Sequence, residues 1–221
     1  MILFGLLFIG NLTVSFSPKN VFAQSVGNPS EDMSKKMGVM PFIKVRAVGT
    51  IKDVLDVPLS ELSFNPENIS TESDIILTGI MHEEMKKRHA ERIVSLLESI
   101  ITYDRTIIKT DKTETLRTLG RKIGETLEVD MIWVGCIWQY KRRVGSAIAV
   151  SSPASVGFGI GMIDVSTGEL LWQGRFEETQ RPLLDNILDA KAFFKKGAKW
   201  LTADELARFG INGLFDKYPF K

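Results

Sequence analysis

Cysteine is almost absent from this chain and histidine nearly so. One residue, Cys136, carries a thiol and two, His82 and His89, carry an imidazole. No internal disulfide can staple the fold, and any catalytic triad or metal site built on imidazole has to recruit one of those two histidines. An excess of charge is missing as well, since 28 Lys and Arg stand against 27 Asp and Glu. Nucleic-acid binders take most of their affinity from clustered cations that neutralise phosphates, so that class is disfavoured and only local basic patches stay open. Long apolar runs are also lacking. The opening MILFGLLFIG is too short for a bilayer core, which needs roughly 20 apolar residues.

That opening fits a secretory signal peptide, with Val21-Phe22-Ala23 before Gln24 as the cleavage point. The positive stretch that normally precedes the apolar region is missing, which suggests a start inside a longer signal. A lipid-anchored protein would place cysteine directly after the cleavage point, and Gln24 stands there. Removing residues 1–23 takes one lysine, Lys19, and no acid, so the mature chain is balanced in charge. The expected location is periplasmic or outer-membrane-associated, without a lipid of its own.

With 44% hydrophobic and 25% charged residues, the remainder has the makeup of one globular domain. The expected layout is a signal peptide over 1–23, a polar linker over 24–36 and a single α/β domain over 37–218. MGVMPF reads as a buried strand ended by Pro41 or continuing past it at a sheet edge. Asn68 to Asp74 offers caps for a helix whose stripe includes Ile75, Ile76, Gly79, Ile80 and Met85. RIVSLLES reads as a short strand, and Leu116, Leu119, Ile123 and Leu127 mark a second amphipathic helix. VDMIWVGCIW is apolar on both faces, the mark of a central strand, with Cys136 as a small buried hydrophobe. VGFGIGMIDV alternates Val156, Phe158, Ile160 and Met162 against Gly157, Gly159 and Gly161, a bare face open to close approach. Ser166-Thr167-Gly168 turns the chain into ELLWQGRF. Two helices close it, one over Leu183 to Phe194 and one from Thr202 to Phe215, the latter with a capping box of Thr202 and Glu205.

The search for chemistry is mostly negative. HEEMKKRH departs from a zinc-protease helix because Lys86 occupies the second histidine position, and both histidines read as solvated residues on a charged helix. The glycines of Gly157 to Gly161 lie in a strand, whereas a phosphate cradle needs a glycine turn feeding a helix. Glu83/Glu84 and Glu177/Glu178 read as solvated pairs. No catalytic residue, metal site or cofactor is expected. Two basic stretches remain: Lys141, Arg142 and Arg143 opening a long connection with Val144, Ser151 and Ser152, and Phe193, Phe194, Lys195, Lys196 and Trp200, which suit a partner or a membrane surface. For the second, the plainer reading is a helix end with a buried Phe/Trp cluster and snorkelling lysines.

The first strand MGVMPF, a helix directly before VDMIWVGCIWQY, and the hairpin MIDVSTGELLW together resemble a bacterial envelope superfamily. It includes the curli-secretion CsgG proteins, the N-terminal domain of TolB and the LpoB-like lipoprotein activators of penicillin-binding proteins. The resemblance spans Met37 to Phe215 and implies a mixed sheet flanked by helices and binding rather than catalysis. The partner it implies is another envelope protein or a second copy in a homo-oligomer, with peripheral membrane contact as an addition. The stretch KRRVGSAIAVSSPAS is too short for two membrane strands of about 9–11 residues each. The expected site is therefore the connection from Lys141 to Ser155, or, for a homo-oligomer, the glycine face or Val144 to Val150.

Overall fold

A strand apolar on both sides has to be covered on both sides, and β4 (Met131–Lys141) is buried along ten of its eleven residues. In the computed structural model, which describes residues 21–26, 35–45, 68–108, 115–146, 150–180 and 200–219, β4 pairs on each flank. β7 (Ser155–Asp164) runs antiparallel to it, and β8 (Leu170–Thr179) antiparallel to β7. On the other side β2 (Met37–Val39) and β3 (Ile43–Lys44) lie parallel to β4 on either side of Pro41. The first expected strand thus continues past its proline at a sheet edge. β1 (Val21–Ser25) completes the sheet antiparallel to β8, giving the order β1-β8-β7-β4-β2. The expected cleavage after Ala23 falls within β1; Val21 is buried against Gly213 and its carbonyl accepts from Lys217.

Among the described residues four helices flank this mixed sheet: α1 (Ser73–His89), α2 (Leu96–Ile107), α3 (Leu116–Thr126) and α4 (Ala203–Phe215). One core cluster places Phe158, Ile160, Met162, Trp133 and Trp172 beneath Leu77, Met81 and Met85 of α1 and Leu206, Ile211 and Leu214 of α4. Trp133 meets Trp172, Phe215 and Tyr218 edge-on with centroids 5.1–5.6 Å apart, a favoured aromatic arrangement. The opposite cluster sets Leu116, Leu119 and Ile123 of α3 on Ile132, Val134, Cys136 and Trp138. α4 opens with the expected capping box, Thr202 and Glu205 each accepting the other's backbone N–H.

Three expectations change. RIVSLLES is not a strand: Ile93 makes one isolated bridge to Met37, and Ser95 then caps α2 by accepting from the Glu98 amide at 3.2 Å. Ile75, counted in the α1 stripe, is exposed. The glycine face is no interface, because β7 is buried along nine of its ten residues. A Cβ on Gly157 would lie 2.4 Å from the Trp138 ring nitrogen, so this glycine accommodates a tryptophan of its own molecule. The expected helix over Leu183 to Phe194 lies outside the described residues.

The turns follow side-chain chemistry. Asp164 Oδ1 accepts from the Ser166 and Thr167 amides at 2.9 and 3.0 Å, and Gly168 takes a φ of +75°, as a tight turn of this kind asks. Burial raises the Asp164 pKa, but the hydrogen bonds outweigh it and hold it below the usual range. α3 ends in a Schellman arrangement, with the Val129 amide donating to Gly124 and the Glu128 amide to Glu125 at 3.1 and 3.2 Å. Glu128 occupies the left-handed position at φ 53°, where glycine is the unstrained choice.

Candidate functional site

The connection between β4 and β7 is a hairpin in its own right. Lys141 pairs with Ser155 across the sheet, and the chain between them forms β5 (Val144–Gly145) against β6 (Val150–Ser152). These strands hold two and three residues, well short of the ~9–11 of a membrane strand. Lys141 is exposed at the end of β4, Val144 is exposed, and Ser151 donates to the Val144 carbonyl at 3.2 Å. Ser152 sits half-buried opposite Val144.

Two of the three cations at the base are tied inward. Arg142 reaches Glu72 at 2.7 Å with both side chains more than half exposed, a pair worth little in energy but sufficient to set direction. Arg143 donates to the backbone carbonyl of Trp200, which is itself half-buried. These contacts brace the hairpin against the segments that lead into α1 and α4. Phe193, Phe194, Lys195 and Lys196 lie outside the described residues.

Beneath the hairpin is a polar seam. Tyr140 donates to Asp204 at 2.6 Å, and its backbone carbonyl accepts from Ser70 at 3.1 Å. Burial and then the Asp204 carboxylate push the Tyr140 hydroxyl well above the usual phenol range, so it stays protonated. Gln139 Nε2 donates to Ser155, which shares a hydrogen bond with Thr179. The Gln139 and Gln180 side-chain carbonyls are buried without a hydrogen-bond partner among the described residues, which costs about 1–3 kcal/mol each unless a donor arrives.

The histidines and acidic pairs differ from expectation. His82 is buried and its Nε2 lies 2.8 Å from the Val94 carbonyl; His89 is buried beside Arg92 and edge-on to Tyr218. Burial, then Arg92 and Arg88, lower the His89 pKa to about 4. Neither histidine reaches a serine, cysteine or carboxylate, and among the described residues no group of three His, Cys, Asp or Glu could hold a metal. Glu84 is buried, not solvated, and gathers Lys87, Arg88 and Arg208 at 2.8–3.0 Å, tying α1 to α4. Desolvation pushes its carboxyl up and these three donors more than reverse it. At Glu83 the Arg208 hydrogen bond, helped by Lys87, lowers the pKa to about 2. The exposed apolar residues Leu97, Ile101 and Ile108 escape notice in the sequence because RIVSLLES, which holds Leu97, reads as a strand and the stretch after it is assigned to no element.

A mixed sheet covered by helices on both faces, with a braced hairpin between two central strands, is an α/β scaffold. No family model matches the chain, and no curated protein matches it. Solved structures of similar fold include the PelC dodecamer from Paraburkholderia phytofirmans, at 11% identity and TM-score 0.49 over 91% of this chain and 99% of that one. The LpoB C-terminal domain from Salmonella enterica matches at 11% identity and TM-score 0.38 over 66% and 84%. Lipoprotein GNA1162 from Neisseria meningitidis matches at 9% identity and TM-score 0.41 over 74% and 99%. Likeness at this level says nothing about which partner or reaction this chain has.

Proposed function

We propose that the chain is an exported, non-enzymatic protein of the bacterial envelope that binds another envelope protein through the hairpin end of its sheet. The observation that carries this reading is the excess of the β4–β7 connection. Adjacent antiparallel strands close with a two-residue turn, yet residues 142–154 intervene between the paired Lys141 and Ser155. Lys141, Val144 and Ser151 present a cation, an apolar side chain and a hydroxyl to solvent, while Arg142 and Arg143 hold the base in place. A loop placed by a rigid scaffold suits recognition, and the unmet Gln139 and Gln180 carbonyls offer acceptors at its foot.

The test removes residues 144–151, which takes out Val144 and Ser151 and leaves a five-residue connection between the paired Lys141 and Ser155. In-cell cross-linking of the tagged protein with mass spectrometry should then lose its partners while the melting temperature holds within about 3 °C. An unchanged partner set sinks the proposal. A second reading, a homo-oligomeric envelope subunit, draws on a different surface.

A further inference from the structure

We propose that α2 is a self-association surface, on which two copies of this chain pair antiparallel about a twofold axis near Thr102. This stands independently of the hairpin reading. Leu97, Ile101 and Ile108 are 68%, 40% and 83% exposed. Steps of four and seven residues put them within about 40° of one another around the helix. The side turned to the protein is unusually polar, with Ser99 buried and Thr102 and Thr106 half-buried beside Leu96, Ile100 and Tyr103. A helix folded for its own monomer turns its apolar stripe inward; here the exposed stripe is apolar apart from Asp104, and part of the inner face is hydroxylic. Scattered exposed apolar residues need no explanation, but three in one line mark a contact surface.

The charges beside the stripe select the occupant. Glu98 and Arg105, both exposed and seven residues apart, lie on the same flank, and neither has an ion pair among the described residues. A twofold axis across the stripe near residue 102 brings Glu98 of one copy level with the partner's Arg105 to within about 1.5 Å along the axis, and the reverse pair with it. Parallel pairing would instead carry this flank to opposite sides of the seam in the two copies and leave Glu98 without an opposite charge across it. An anionic membrane is the poorer occupant, because Glu98 and Asp104 outnumber Arg105 around the stripe. Asp104 lies in the stripe itself, about 20° around the helix from Leu97; it is exposed, faces its own counterpart and opposes the contact. One face of a 12-residue helix offers less than the ~800 Å² per partner of a standard interface, so the affinity should be micromolar.

Sedimentation of the full chain from about 1 to 500 µM tests this, with a monomer–dimer midpoint expected in the tens of micromolar. Ile101→Asp should weaken the dimer more than about tenfold, and Glu98→Arg about fivefold, through like-charge contact. Glu98→Arg combined with Arg105→Glu should restore it to within about threefold, a rescue that general loss of folding cannot give. Asp104→Asn should tighten it, and Ile101→Cys should form an intermolecular disulfide near the axis. A chain still monomeric at the highest concentration, a dimer indifferent to Ile101→Asp, or a double charge exchange without rescue overturns the proposal. A monomer that instead cosediments with phosphatidylglycerol vesicles through Ile101 also overturns it and reassigns the stripe to lipid.

Discussion

Helices α2 and α3 follow each other in the chain, lie against the same side of the molecule, and use their apolar residues in opposite ways. α3 turns Leu116, Leu119 and Ile123 into the sheet and approaches it closely, since a Cβ on Gly124 would come within 2.4 Å of Val165. α2 turns Ser99 inward and leaves Leu97, Ile101 and Ile108 in water. Amphipathic spacing therefore announces a stripe but does not say whether that stripe meets the molecule's own core or something outside it. The inner face decides, and in α2 that face carries hydroxyls.

The contrast breaks most readily at Ile123. Ile123→Ala should cost about 3 kcal/mol by leaving a cavity under α3, read by chemical denaturation. A cost under about 1 kcal/mol would mean that α3 does not close its side of the sheet.

Acid should separate this side from the opposite one, because α1 carries Glu83, Glu84 and His89, all with lowered pKa values, against Asp164 alone at the turn beside α3. His89 is held neutral, with its pKa lowered from 6.5 to about 4. Its contribution is complete above pH 6.5 and is lost as the pH falls toward 4, on the order of 2–3 kcal/mol. Glu83, lowered from 4.5 to about 2, has its stabilising effect above pH 4.5 and loses it toward pH 2. Hydrogen exchange at pH 3.5, corrected for intrinsic rates and compared with pH 7, should show protection falling in α1 and α4 before α3. Simultaneous loss would contradict this, and His89→Asn should remove the slope between pH 6.5 and 4.

A smaller effect sharpens the comparison at the end of α3. Glu128→Gly relieves the left-handed strain at the helix stop and should stabilise by about 0.5–1 kcal/mol, seen as a rise in melting temperature. Smallest of all, Ile101→Ser on α2 should change the stability of dilute protein by no more than about 0.5 kcal/mol, because Ile101 is exposed. A cost near that of Ile123→Ala would show that the stripe belongs to the monomer's core.

The central sheet was the most legible part of the sequence. β4 announces itself by being apolar on both faces, β7 by its glycine alternation, and β8 by the Ser-Thr-Gly turn before it. α3 and α4 follow from periodicity and the Thr202–Glu205 box. α2 was misread because Ile93 and Val94 favour a strand and its polar inner face blurs the stripe. The overlooked signal was Ser95 followed three residues later by Glu98, the pattern of a helix start. β1 was hidden because an apolar leader and an edge strand share the same composition. At the candidate site, sequence placed Lys141, Val144 and Ser151 at the surface but could not see that Arg142 and Arg143 find Glu72 and the Trp200 carbonyl, 70 and 57 residues away. The burial of the histidines was hidden for a related reason, since the packing of His89 against Tyr218, 129 residues away, is a tertiary property.

Cys136 lies at the centre of β4 with no exposed surface. Its thiol becomes reachable only when the sheet opens, so the labelling rate of the unmodified protein by a thiol reagent is a built-in clock for large-scale opening. The same protection means that a cysteine introduced at position 101 will react first and alone under native conditions. Each molecule then carries its own internal control, with one site reporting the surface and the other the integrity of everything beneath it.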